Sequence, residues 1–290
     1  MTGPGPDRVV DLWVNLLAPR QVQRFTAQQE NSGIEGLLGG DLASAATPAA
    51  LLAEMDRCGV DVGVLTTALS DPDRALAVAE EHPDRLWVGV VVDDPGRPVE
   101  VARRLRDVAQ HPAVRLARLT PLTTGLAIDA PQHYPVYVTC AELGLPVAVN
   151  VGVPGPRVRS RVQHPELLEG VLIDVPEVTV IGAHMGHPYE ELLRTYMDKW
   201  PQLYLSTTAY LPRYLDPGLL AWMGSRRGAG RVLFGSDHPY LPMARAVEAA
   251  RALPLSGAAR ASWLGGTAER LLTRAGTEPR RDAHERTARA

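Results

Sequence analysis

Apolar and polar positions along this chain follow two rhythms. Short apolar runs at Val9–Leu12, Val60–Leu65, Leu86–Val92, Val114–Leu119, Pro146–Val151, Val178–Gly182, Leu203–Ser206 and Val232–Phe234 read as buried strands. Between them lie segments with helical signals. One starts at the Thr47-Pro48 cap and stops at Gly59; another opens at Asp71-Pro72 and ends near His82-Pro83. Further helices are predicted over 99–108, Tyr134–Leu143, Pro165–Leu172, Glu190–Trp200, Pro217–Met223, Met243–Ala252 and Thr267–Thr273. Strand and helix alternate eight times, which predicts an α/β fold of the (β/α)8 barrel type. A doubly wound open sheet is the alternative, but no GxGxxG follows the first strand to cradle a dinucleotide.

No internal repeat or linker divides the chain, so residues 1–275 are expected to form a single domain. The connection 16–46 is long and contains Gly33, Gly36, Gly39 and Gly40; it is expected as a loop insertion over the catalytic face. The polar tail 276–290 is expected to be disordered. A net charge of −3 without a basic block argues against nucleic acid, and no apolar run is long enough to cross a membrane. Cys58 and Cys140 are widely spaced, which suits a reducing, cytoplasmic setting. The excess of arginine over the single lysine, Lys199, suggests a GC-rich bacterial source. That lysine falls at a helix end, which argues against Schiff-base chemistry or a carbamylated lysine bridging two metals. No cofactor is expected.

In such a barrel, chemistry belongs to the C-terminal strand ends and the loops after them. Those positions hold Trp13 and Asn15, Arg118, Asn150, His184, Thr207 with Thr208, and Asp237. Asp237 stands out because Val232-Leu233-Phe234 is a buried strand closed by the tight turn Gly235-Ser236. A turn aspartate bonding its own backbone is the plainer alternative.

Four stretches carry a resemblance. They are Leu51–Asp61 (LLAEMDRCGVD), Glu142–Val147 (ELGLPV), Ile181–Gly186 (IGAHMG) and Leu233–Pro239 (LFGSDHP). In order and spacing the chain resembles the amidohydrolase superfamily, in its branch related to aminocarboxymuconate-semialdehyde decarboxylase. The resemblance implies a hydrolase or decarboxylase (lyase) and a homodimer. It also implies metal ligands at the strand ends, where this chain departs from the pattern. The family's first strand ends in Asp-x-His-x-His; here it reads Asp11-Leu12-Trp13-Val14-Asn15, and the fifth-strand histidine is Asn150. Only His184 and Asp237 match the ligand pattern, a poor zinc set, so the metal is expected to be lost.

The resulting expectation is a metal-independent enzyme doing acid–base chemistry on a small anionic, carboxylated metabolite. The reaction would be decarboxylation, another lyase step, or hydrolysis of an activated ester or lactone. Asp237, His184 and His187 are the catalytic candidates. Arg118, Trp13, Asn15, Asn150, Arg157, Arg159 and His238 are the substrate-binding candidates. Arg118 is expected to clamp a carboxylate bidentately and Trp13 to stack on a flat substrate. Two alternatives stand beside this reading: a metal-dependent hydrolase or decarboxylase with an unusual site, and a non-catalytic barrel that binds a ligand or partner protein.

Overall fold

The computed structural model describes residues 8–17 and 42–273. Most of the 16–46 connection and all of the 276–290 tail therefore lie outside the described residues. Eight parallel strands form one sheet in the order β1 to β8. They are β1 Val10–Asn15, β2 Val62–Ala68, β3 Leu86–Val91, β4 Val114–Leu119, β5 Val147–Asn150, β6 Val180–Ala183, β7 Leu203–Ser206 and β8 Val232–Leu233. The ring closes through backbone bonds from Leu12 N–H to Phe234 O (3.1 Å), Asn15 N–H to His238 O (2.8 Å) and Asp237 N–H to Trp13 O (2.9 Å). This is the (β/α)8 barrel that the alternation predicts.

One helix follows each strand: α1 Pro48–Cys58, α2 Asp73–Glu81, α3 Pro98–Val108, α4 Tyr134–Leu143, α5 Leu168–Asp174, α6 Glu190–Lys199, α7 Pro217–Met223 and α8 Met243–Ala252. Local chemistry sets the ends of α1. The Thr47 hydroxyl accepts from Ala50 N–H at 3.1 Å, Pro48 opens the first turn, and Gly59 closes the helix at φ 67°. Four short 3-10 turns, at Leu42–Ala45, Arg161–Gln163, Pro165–Leu167 and Pro212–Tyr214, and a short helix at Pro121–Thr124 lie in the loops. The C-terminal helix begins earlier than its pattern predicts. Gly257–Ala261 runs into a π turn at Ser262–Gly266 and continues as Thr267–Leu272. Phe234 N–H donates to Trp263 O in that π turn at 3.1 Å, which ties the segment to the barrel.

Two buried layers divide the core. Inside the barrel sit Val10, Leu12, Val64, Trp87, Leu116, Ala148, Ile181 and Leu233. Between strands and helices sit Val14, Leu65, Val88, Ala117, Val149 and Leu205, packed with Leu51, Met55, Leu105 and Leu193. The alternation of in and out breaks on β4, where Val88 pairs with Val114 and Gly89 with Leu116, and on β1. Asp11 pairs with Gly63 and Val14 with Leu65, so β1 takes one residue more than β2 over that stretch. This bulge turns both Leu12 and Trp13 into the inner layer and leaves Val14 outside. Among the described residues no helix is long and apolar enough to cross a membrane.

Candidate active site

The inner layer turns polar at the C-terminal end of the barrel. Asp237 follows β8 with a left-handed backbone, φ 68°. His184 (φ 68°) and Met185 (φ 61°) after β6, and Ala209 (φ 66°) after β7, share that conformation. Non-glycine residues are costly there, and such strain gathers at functional sites. Asn15 donates from Nδ2 to Asp237 Oδ1 at 3.1 Å and to His238 O at 2.9 Å. Burial raises the Asp237 carboxyl from its ordinary 3.8 to about 7, against the opposing pull of the Asn15 bond and the Arg118 charge. The residue as a whole is only partly buried.

His184 is bound at two points by one side chain. Thr208 Oγ1 accepts from His184 N–H at 3.1 Å and pairs with its Nδ1 at 3.0 Å. Ser206 Oγ donates to that same hydroxyl at 3.3 Å. Burial first, and the Arg118 charge second, lower the imidazole to about 4, so it is neutral at physiological pH.

Arg118 is fully buried, and its guanidinium lies 3.7 Å from the centre of the Trp13 ring. Its Nη2 donates to Leu12 O at 2.9 Å and to Val64 O at 3.3 Å. Both edges of a guanidinium fork include Nη2, so neither edge is free to take a carboxylate in two-point fashion. The expected bidentate clamp is therefore corrected to a buried cation with single donors, Nε and Nη1, that have no hydrogen-bond partner among the described residues. Gly89 makes room for it: a Cβ there would lie 2.8 Å from Nη2 and closer still to Nε.

Other expected contacts also change. Trp13 is 5% exposed, faces Arg118 on its ring, and has its ring centre 4.6 Å from that of His184. It is a platform inside the wall and no open stacking surface. Asn15 spends its amide hydrogens on Asp237 and His238, so it orients the carboxylate and makes no bond to Asn150. Asn150 is buried, with its Oδ1 unpartnered among the described residues. His238 is 1% exposed, with Nε2 3.1 Å from Ser44 Oγ, a contact that ties it to the turn at Leu42–Ala45. His187 is exposed, and its Nδ1 sits 2.7 Å from Glu190 Oε1 at the start of α6. Arg157 and Arg159 lie exposed in the loop after β5 and make no ion pair among the described residues.

Three supporting residues were not among the candidates. Asp11 is fully buried and accepts from Trp13 N–H at 3.1 Å, from Ser236 N–H at 2.8 Å and from the Ser236 hydroxyl. It thereby holds the bulge on β1 and the turn after β8. Burial raises its carboxyl to about 6 despite those bonds. Ser236 Oγ in turn accepts from His238 N–H at 2.9 Å. Thr208 is the third. A lone carboxylate in an otherwise apolar strand was the available signal for Asp11; Thr208 was marked only by its place after the seventh strand, with no role attached. Two clefts of about 350 and 490 Å3 open at the other end of the barrel around Arg8. Two ion pairs lie in their walls, Arg8 with Glu269 at 2.8 Å and Arg85 with Asp56 at 2.7 Å.

A family model described as Amidohydrolase matches residues 29–274, and the chain belongs to that family. It is thus an enzyme of the amidohydrolase superfamily, a hydrolase or a lyase. Among solved structures, the chain is similar to an uncharacterized TIM-barrel protein from Bordetella bronchiseptica. Identity is 25% and the TM-score 0.80, over 93% of this chain and 100% of that one. It shares the fold of 5-carboxyvanillate decarboxylase from Sphingomonas paucimobilis at 18% identity and TM-score 0.67, over 91% and 98% of the two chains. It also shares the fold of a dihydroxybenzoic acid decarboxylase from Polaromonas sp. JS666, described with bound manganese and the inhibitor 2-nitroresorcinol. There the identity is 16% and the TM-score 0.69, over 92% and 97% of the chains. The curated proteins contain no match.

Among the described residues the donor set at the strand ends is sparse for a divalent ion. It holds the His184 imidazole, the Asp237 carboxylate and the Asn15 and Asn150 carboxamides, with the buried His238 imidazole next in sequence to Asp237 and the Trp13 indole at the bulge. Among the described residues no group of three or more His, Cys, Asp or Glu could hold a metal. One of those carboxamides already donates to the carboxylate, and a guanidinium lies against the indole.

Proposed function

We propose that this protein transfers protons on a small carboxylated metabolite, with Asp237 as the acid–base group, and that it works without a catalytic divalent ion. The observation that carries this reading is Asp237 itself. It is the carboxylate of a partly buried residue at the end of β8, on a strained backbone, oriented by Asn15 and raised to about 7. A base or acid that titrates near working pH is present in both forms and exchanges protons with least penalty. The neutral His184 imidazole, set by Thr208, is the second group of the barrel end that can accept or donate a proton.

The same features select among reactions. A catalytic zinc lowers the pKa of bound water from about 15.7 to about 7, which corresponds to roughly 12 kcal/mol. A carboxylate does not replace that for an unactivated amide. Decarboxylation and related lyase steps need no hydroxide, and an activated ester or lactone needs less help. The decarboxylases that share this fold support the lyase side of the reading. A metal-dependent version has one observation in its favour, since two kinds of decarboxylase structure with this fold are described with manganese. The donor set among the described residues weighs against it.

The test is a panel of hydroxylated arene carboxylates and small lactones, assayed by CO2 release and by ring opening, with wild type and Asp237→Asn. Turnover of one class that falls at least about a hundredfold in Asp237→Asn supports the reading. Turnover that survives the substitution refutes it.

A further inference from the structure

Arg118 presents a problem of cost. A buried cation is stable when a carboxylate pairs with it, and burying one alone costs several kcal/mol. Among the described residues Arg118 has no ion pair and no exposure. It is held by two backbone carbonyls and by the face of Trp13. The charges whose fields reach it are the carboxylates of Asp237 and Asp11. The fold also makes concessions to admit it. Gly89 sits in the interior of β3, where glycine weakens a strand, and any side chain there would strike the guanidinium. The bulge on β1 brings Trp13 inward to serve as its platform. Bulge, glycine and indole all accommodate one positive charge.

We propose that Arg118 is the fixed cation of this barrel mouth, a positioning residue that supplies the positive charge a divalent ion would otherwise bring, and that the two exclude one another. This rests on the metal-free part of the proposed function and not on its reaction. Trp13 occupies the strand position where the family resemblance calls for a liganding histidine; here the guanidinium lies against that ring, and the His184 ring lies close by. An ion on His184 and Asp237 would therefore lie within reach of a like charge in a desolvated space, where repulsion is strong.

The test uses Mn2+ as the probe, read by electron paramagnetic resonance and by metal analysis of the full chain, so it needs no substrate. Wild type is expected to take up no stoichiometric Mn2+. The double variant Trp13→His/Asn15→His restores donors, and adding Arg118→Met to it is expected to tighten Mn2+ binding at least about tenfold. Equal affinity with and without Arg118→Met overturns the proposal. So does one Mn2+ per chain in wild type, a measurement that stands even where a variant fails to fold. Arg118→Gln, which keeps an amide to donate to the Leu12 and Val64 carbonyls, is the second neutral variant should Arg118→Met misfold. Loss of turnover in Asp237→Asn bears on the reaction alone, so the two ideas fail separately.

Discussion

Replacing Asp237 with asparagine removes a carboxyl that the fold holds in an unfavourable setting. In the unfolded chain that carboxyl titrates at its ordinary 3.8, and in the folded chain at about 7. Between those values the folded state binds more protons than the unfolded one, so this group's contribution to stability is complete at low pH and is lost as pH rises through 7. Integrated from pH 5 to pH 8, the loss is about 2.5 kcal/mol. Asparagine does not titrate and is spared it. Asp11, raised to about 6 by burial, loses stability with rising pH in both proteins and in the same direction. Relative to wild type, Asp237→Asn is therefore expected to gain about 2.5 kcal/mol on going from pH 5 to pH 8. For a chain of this size that is roughly 4–8 °C in Tm. Urea midpoints and thermal scans of both proteins at the two pH values make the comparison. A stability difference that stays the same at both pH values would refute the claim that the fold raises this carboxyl.

Other expectations follow from single contacts. Gly89→Ala drives a methyl into the Arg118 guanidinium and is expected to cost about 1–3 kcal/mol, seen as a lower urea midpoint. Thr208→Val removes the hydroxyl that serves both His184 N–H and Nδ1 and is expected to cost about 1–3 kcal/mol, with reduced turnover at every pH. Asn15→Ala deletes the bond that holds the Asp237 carboxyl down. The acid limb of the activity profile is then expected to move to higher pH, because the base must be ionised to act.

Much of the framework was legible in the pattern of residues. Tyr134–Leu143, Pro217–Met223 and Met243–Ala252 are helices over the residues expected, and Val114–Leu119 and Leu203–Ser206 are strands over theirs. Proline at the start and glycine or a polar break at the end carry enough local information for that. The mouth was less legible because its chemistry is relational. The bulge that turns both Leu12 and Trp13 inward is held by Asp11 meeting Ser236, far along the chain. Arg118 at the end of an apolar strand looked like a hand held out to substrate. Two carbonyls and an indole claim it instead, and no local pattern announces them. The C-terminal π turn escaped for a related reason, since its register is set by packing on β8 and not by its own periodicity.

The central claim is that Asp237 exchanges the proton in a mouth whose positive charge is built in. Its most direct test is the pH dependence of kcat/KM for whichever carboxylate or lactone is turned over, measured on protein stripped of divalent ions with chelator. The account predicts full activity after stripping and a single ionisation near pH 7 that disappears in Asp237→Asn. A rate that is flat through pH 7, or one that returns only when Mn2+ is added back, would contradict it.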